Sequence, residues 1–241
     1  MKRPLMPAFL QAVRNFRARA MFAALRTHCT GRVLDVGGAD FFRTAARLNL
    51  RFDSWTTVEP TPELGVTSED SRYRFVLGDG CNLPFADGGF DSAVCLQVVE
   101  HVFEPNRLMR EIGRALRPGG VAVLLVPQTS MLHMAPHHYY NFTRYWILEA
   151  CRAAELEVVE LKPIGGWWST IASRLIYFFV QSARVPGYHV AEQRRRLTFY
   201  LLWPFMALAA IVFIPICLLL SLGDSVEEPN NHLVVARKLA P

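Results

Sequence analysis

The chain has 241 residues, a formal net charge of +5 and 51% hydrophobic residues. This length suits one α/β domain plus an added segment, with ample material for a core. A mean hydropathy of +0.17 and a pI near 9.1 are high for a fully soluble enzyme, and the basic balance fits nucleic acid or an anionic membrane surface, so the position of the charges decides. Cys29, Cys81, Cys95, Cys151 and Cys217 are scattered without CxxC spacing, which excludes a zinc site of that kind and points to reduced, buried thiols in a cytosolic setting.

Residues 7–27 read as a helix, with Phe9, Val13, Phe16, Ala20 and Ala24 at three- and four-residue steps and Arg14, Arg17 and Arg19 on the other side. Such a helix either caps a sheet or lays a basic face on anionic lipid. Its arginines interrupt any apolar leader, so no signal peptide is expected. The run Arg32-Val33-Leu34-Asp35-Val36 then ends in Gly37-Gly38, ahead of a short helix from Phe41 to Leu48. A buried parallel strand delivers its backbone to a ligand at a helix N-terminus in this way. Two residues without Cβ allow a tight turn and a close approach, although the pair alone also fits an ordinary strand-to-helix turn.

Trp55 to Val58 is the second strand, ended by the acid Glu59. Tyr73 to Leu77 is the third, closed by Gly78-Asp79-Gly80, with Leu83-Pro84-Phe85 just beyond. Phe90 to Leu96 is the fourth, and Gln97 falls at its C-terminal end, where open α/β sheets bind ligands. The Glu100-His101 pair after it reads as structural first, with a catalytic role as the alternative. Glu104 to Leu116 is an amphipathic helix stopped by Pro118-Gly119-Gly120. Val121 to Val126, apolar throughout, is a fifth strand buried on both faces. Thr143 caps a helix through Ala154; Leu156 to Lys162 and His232 to Lys238 are the sixth and seventh strands.

In order and spacing this series resembles the class I S-adenosylmethionine-dependent methyltransferases of the type 11 kind, from about Gly31 to Pro163 and again at the last strand. The resemblance implies an α/β, Rossmann-like sheet of seven strands, with the last antiparallel between the fifth and sixth. It implies S-adenosyl-L-methionine as cofactor, with Asp35 toward its amino group and Gly37 and Gly38 in the turn. Glu59 would hold the ribose hydroxyls, since a carboxylate accepts two parallel hydrogen bonds. Asp79 would accept from the adenine amino group, the Gly80 amide would meet a ring nitrogen, Leu83 would wall the adenine face, and Gln97 would complete the set. The family carries three alternating glycines in the first turn; this chain keeps Gly37 and has Ala39 and Phe41 at the later two places.

The segment Pro127 to Thr143 resembles a bacterial subgroup tied to cell-surface glycan assembly, through His133-x-x-Pro136 and Tyr139-Tyr140-x-x-Thr143. His138 and Asn141 stand where that subgroup has an acid and an arginine. His133 is the first candidate base for a hydroxyl acceptor and Tyr140 the second. The histidines here lack an obvious carboxylate partner, so no metal is expected.

Domain organisation follows: 1–163 and 229–241 form the methyltransferase domain, and 164–228 a hydrophobic insertion. Leu197 to Leu222 is uncharged and broken by Pro204 and Pro215, long enough to cross a hydrocarbon core. If the seventh strand pairs in a cytosolic sheet, the chain must leave and re-enter on one side. A two-span hairpin would put Arg184, Arg194, Arg195 and Arg196 outside, against the positive-inside tendency. The favoured arrangement is monotopic, at the cytoplasmic face. The part from Trp167 to Val180 lies in the interface with Arg174 snorkelling, and the second part dips and returns, bent at Pro215. A single span is the alternative. The expected partners are a membrane lipid surface and a lipid-linked or lipophilic substrate. The rival readings are a non-catalytic membrane scaffold on the same fold and a nucleic-acid methyltransferase. Against the latter, Cys95-Leu96-Gln97 replaces the Asn/Asp-Pro-Pro-aromatic signature of base amino methylation.

Overall fold

The computed structural model describes residues 18–182 and 195–240. Of the expected N-terminal helix, Phe9, Val13, Arg14, Phe16 and Arg17 lie outside the described residues. Its described part is α1, Arg19–His28, which buries Met21, Ala24 and Leu25.

A seven-stranded sheet follows from the apolar runs, in the order β3-β2-β1-β4-β5-β7-β6. Its strands are β1 Arg32–Val36, β2 Ser54–Glu59, β3 Tyr73–Leu77, β4 Phe90–Leu96, β5 Leu116–Pro127, β6 Leu156–Ile164 and β7 Asn231–Lys238. Strands β1 to β5 pair in parallel, and central ones such as β1 and β4 are buried residue after residue because both faces are covered. The chain runs outward from β1 to β3 and then restarts on the other side with β4. The switch point of the sheet therefore lies between β1 and β4, the place where such sheets take ligands.

The start of β7 meets the ends of its neighbours, through Gln128 N to Asn230 O and Asn230 N to Ile164 O, while Leu239 N donates to Glu155 O at the start of β6. Strand β7 is thus antiparallel between β5 and β6, as expected. The helices of this layer are α2 (Phe41–Arg47), α3 (Pro105–Ala115) and α4 (Arg144–Ala153). Leu108, Met109, Ile112 and Ala115 recur on one face of α3 and are buried, joining Leu34, Cys95 and Leu124 in one apolar core. Thr143 accepts from Trp146 N at the start of α4.

One boundary departs from the expectation. The helix stops at Ala115, and β5 begins at once with Leu116, opposite Phe90, before a register shift between Phe90 and Ser92. Leu116 is buried by that pairing. The Pro118-Gly119-Gly120 run, with Gly119 at φ +74°, ends no helix; it forms the irregular part of the strand.

Residues 128–138 and the described part of 163–231 make a second compact unit. It holds α5, Trp167–Ser182, and α6, Leu197–Leu220. These two helices pack as an antiparallel hairpin. At one end Trp203 Nε1 donates to Ser182 Oγ at 2.7 Å and Arg195 donates to the Ser182 and Gln181 carbonyls. At the other, the Asp224 carboxylate accepts from the amides of Trp168 (2.7 Å) and Ser169 (3.0 Å), capping α5. Pro204 and Pro215 both lie inside α6 without ending it. The expected return at Pro215 is therefore corrected: α6 continues past it, and the return is the pairing of α6 with α5. The stretch Leu197–Gly223 has mean hydropathy 2.8 and is long and apolar enough to cross a membrane, yet little of it is buried.

Candidate active site

The site is built from what stands at the C-terminal ends of β1, β2, β3 and β4. Asp35 lies opposite Thr57 in the parallel register. Its Oδ2 accepts from Trp55 Nε1 at 3.0 Å and Thr57 Oγ1 at 3.3 Å. The carboxyl is 1% exposed, beneath Gly38, where any Cβ would run into it. Burial, opposed by the two hydrogen bonds and helped by the charge of Glu59, pushes its pKa up to about 7. Asp35 thus holds the floor of the turn, covered by it.

The turn itself is strained. Gly37 sits at φ +70°, and a Cβ there would stand 2.6 Å from Val98. Ala39, at the place of a family glycine, is left-handed at φ 45°, a conformation that costs a side chain roughly 1–2 kcal/mol. Its amide is pinned by Glu59 Oε1 at 2.5 Å. Glu59, at the end of β2, is 3% exposed, and burial raises its pKa while the Ala39 amide lowers it. Oε1 is engaged by the turn, which leaves Oε2 as the oxygen on offer to ligand hydroxyls.

Gln97, just past β4, is also left-handed at φ 58°, with its amide donating to Leu125 O. Two non-glycine residues in this region, one on each side of the switch point, mark backbone held by its surroundings, as at ligand clamps. Asp79 is exposed beyond β3, and its Oδ1 accepts from Cys81 N at 2.8 Å. A Cβ on Gly80 would meet Leu108 at 2.9 Å. Leu83 is buried in the core, with its amide donating to Glu111 and its carbonyl accepting from Arg114.

The two candidate bases fall in different units. Tyr140 belongs with the sheet and donates to Phe103 O at 3.2 Å. His133 belongs with the hairpin unit, and its Nδ1 lies 2.8 Å from Met131 O. A carbonyl only accepts, so Nδ1 carries the hydrogen and Nε2 is the basic nitrogen. The structure adds to the sequence reading at two places. Glu100 is wholly buried, neither carboxyl oxygen is hydrogen-bonded among the described residues, and it lies 3.8 Å from His101 Nε2; burial raises its pKa to about 7. Trp55 and Thr57 read only as strand residues, because their hold on Asp35 depends on strand register.

The residues fit S-adenosylmethionine on the structure's own terms: a turn with no room for Cβ atoms at Gly37 and Gly38, and acids ending adjacent parallel strands. The fold agrees with solved structures. The chain is similar to the [4+2]-cyclase SpnF, with TM-score 0.61 and 20% identity, over 96% of this chain and 83% of that one. It is also similar to the Burkholderia thailandensis 1,6-didemethyltoxoflavin-N1-methyltransferase, solved with S-adenosylhomocysteine, with TM-score 0.54 and 17% identity over 100% and 94%. At these identities the likeness carries the fold alone. A protein named as an uncharacterized methyltransferase from Mycobacterium sp. (strain KMS) is 40% identical over 136 residues, 55% of this chain and 52% of that one. Another so named, from Mycolicibacterium gilvum (strain PYR-GCK), is 41% identical over 96 residues, 38% and 37% of the two chains. The chain spans about half the length of the first of these relatives. The family model described as a methyltransferase domain matches residues 34–124, the stretch that carries Asp35, both glycines, Glu59, Asp79 and Gln97. On these grounds that stretch is similar to a methyltransferase domain, and the sheet around it has the fold of the solved methyltransferase.

Proposed function

We propose that the chain is an S-adenosylmethionine-dependent methyltransferase that works at the cytoplasmic face of a membrane on a membrane-held acceptor. A lipid-linked saccharide comes first, with a quinone or another lipid behind it. The observation that carries the methyltransferase reading is the strained turn at Gly37 to Ala39, pinned by Glu59 beside the switch point. The cofactor, when bound, supplies a methyl group already activated on sulfonium. The chain's task is then to align the acceptor and exclude water. Glu59, Asp79 and Gly80 would hold the nucleoside, with Leu83 behind it. Asp35, Gly37, Gly38 and Gln97 would shape the end that carries the amino acid. His133, through Nε2, is the first candidate to take a proton from a hydroxyl, and Tyr140 the second.

The membrane reading rests on α6. Leu201, Phe205, Leu208, Val212 and Leu219 are all exposed on it. Its 24 residues reach about 36 Å at 1.5 Å per residue. The hairpin returns to its starting point at Asp224, which favours insertion from one side over a single span. Arg174, exposed midway along α5, suits a helix lying in the interface.

One observation favours the scaffold reading: the methyl group of Ala39 where the family has glycine. The test is transfer of labelled methyl from S-adenosylmethionine into a total lipid extract. Label in a lipid fraction, dependent on Glu59, is the expected result; no transfer and no cofactor binding at millimolar concentration would leave the scaffold.

A further inference from the structure

Between the start of α3 and the chain leading into α4 lies a groove of about 530 Å³, within the usual size of small-ligand sites. Phe103, Glu104, Arg107, Arg110, Tyr140 and Trp146 are among its walls. One wall is aromatic: the Phe142 and Trp146 ring centroids are 4.0 Å apart, and those of Tyr140 and Phe142 are 5.5 Å apart. The Tyr140 hydroxyl closes one end by donating to Phe103 O.

The other wall is cationic. Arg107 and Arg110 stand three residues apart on α3 and so share a face. Glu104 is the acid in the lining, 3.5 Å from Arg107. Arg110 is exposed and has no ion-pair partner among the described residues. The same turn of α3 begins without a side-chain cap, which adds the positive end of a helix to the arginines. Both α3 and α4 follow parallel strands of the sheet. Their first turns therefore stand at the strands' C-terminal edge, the edge that carries Glu59 and Gln97.

The lining selects among anions. Two guanidinium groups match phosphate oxygens. Phe142 is only 5% exposed, so the accessible ring surface of the groove belongs to Phe103, Tyr140 and Trp146. Asn106 and Asn141 supply amide donors and acceptors suited to hydroxyl groups. We propose that this groove holds the phosphate and first sugar of a phosphorylated saccharide, with the phosphate on Arg107 and Arg110. Its role as the methyl acceptor's site rests on the methyltransferase reading; the binding does not.

The test is calorimetry on the full chain, in mild detergent for the soluble probes and reconstituted into vesicles for the lipid-linked one. The probes are glucose 1-phosphate, a polyprenyl-phosphate-linked glucose in neutral lecithin vesicles, methyl glucoside, adenosine monophosphate and S-adenosylhomocysteine. At least one phosphorylated sugar should bind, methyl glucoside should not, and R107Q and R110Q should each weaken binding about tenfold or more. Both variants should keep their S-adenosylhomocysteine affinity, which shows that the fold survives. Binding only in vesicles identifies a lipid-held source, and binding of glucose 1-phosphate a soluble one. Sugar phosphate binding that is absent or indifferent to both arginines overturns the proposal, as does adenosine monophosphate binding equally well. Should S-adenosylhomocysteine fail to bind while arginine-dependent binding persists, the methyltransferase reading falls and the groove stands.

Discussion

Replacing Asp35 with asparagine keeps the size of the side chain and an acceptor for Trp55 Nε1, and removes the ionisable proton. The carboxyl titrates near 3.8 when unfolded and at about 7 in the fold. Below pH 4 both states hold the proton. Between these values the folded state keeps a proton that the unfolded state has released, so stability falls as pH rises and the loss is complete just above pH 7. The full difference corresponds to about 4 kcal/mol, of which roughly 3 kcal/mol is lost between pH 5 and pH 8. Burial at 1% exposure leaves little solvent to screen it. Urea unfolding of both proteins in one detergent, across that range, reads the effect. The wild type should lose about 3 kcal/mol more than Asp35→Asn, and the variant should be the more stable protein at pH 8. Parallel pH profiles would refute the buried, proton-holding Asp35.

Ala39→Gly relieves a left-handed side chain, offset by the chain entropy of glycine, so stability should rise by about 1 kcal/mol or less. Cofactor affinity should rise with it, and a fall in either by calorimetry or melting counts against the strained turn. Glu59→Ala should weaken S-adenosylhomocysteine binding about ten- to a hundredfold, because a charge-assisted hydrogen bond is lost; unchanged heat of binding would remove Glu59 from the site. His133→Ala should lower turnover about 10²–10⁴-fold with cofactor affinity intact if His133 is the base, and unchanged turnover passes the role to Tyr140. Single cysteines replacing Arg195 and Glu228, in a background without the native thiols, should both escape a membrane-impermeant reagent applied to intact cells; labelling at 228 alone would establish a single span, and at 195 alone a hairpin that crosses.

The strand ends were readable because each acid or glycine follows its own apolar run, a local signal that needs no partner. Strand β7 was placed correctly from its apolar run and the family resemblance. What sequence could not supply is non-local. Asp35 is sealed because register sets it opposite Thr57 and within reach of Trp55. The start of β5 was missed because Leu116 pairs with Phe90 across the chain, and that contact outweighs the helix period that precedes it. The turn-back of the apolar segment was assigned to Pro215, since a proline reads as a breaker, whereas the contacts of Trp203 and Asp224 make the return. The groove joins α3 to a segment far along the chain, and its arginines read in isolation as a solvated helix face.

The backbone bond from Asn230 N to Ile164 O, 3.1 Å long, has a consequence for how such a chain can change. Everything from Gly165 to Pro229 departs and comes back through a gap already closed by one hydrogen bond. The entropy of closing a loop grows only by about 0.6 kcal/mol for each doubling of its length. Lengthening or trimming the segment between those two residues therefore changes the cost of closing it only slightly.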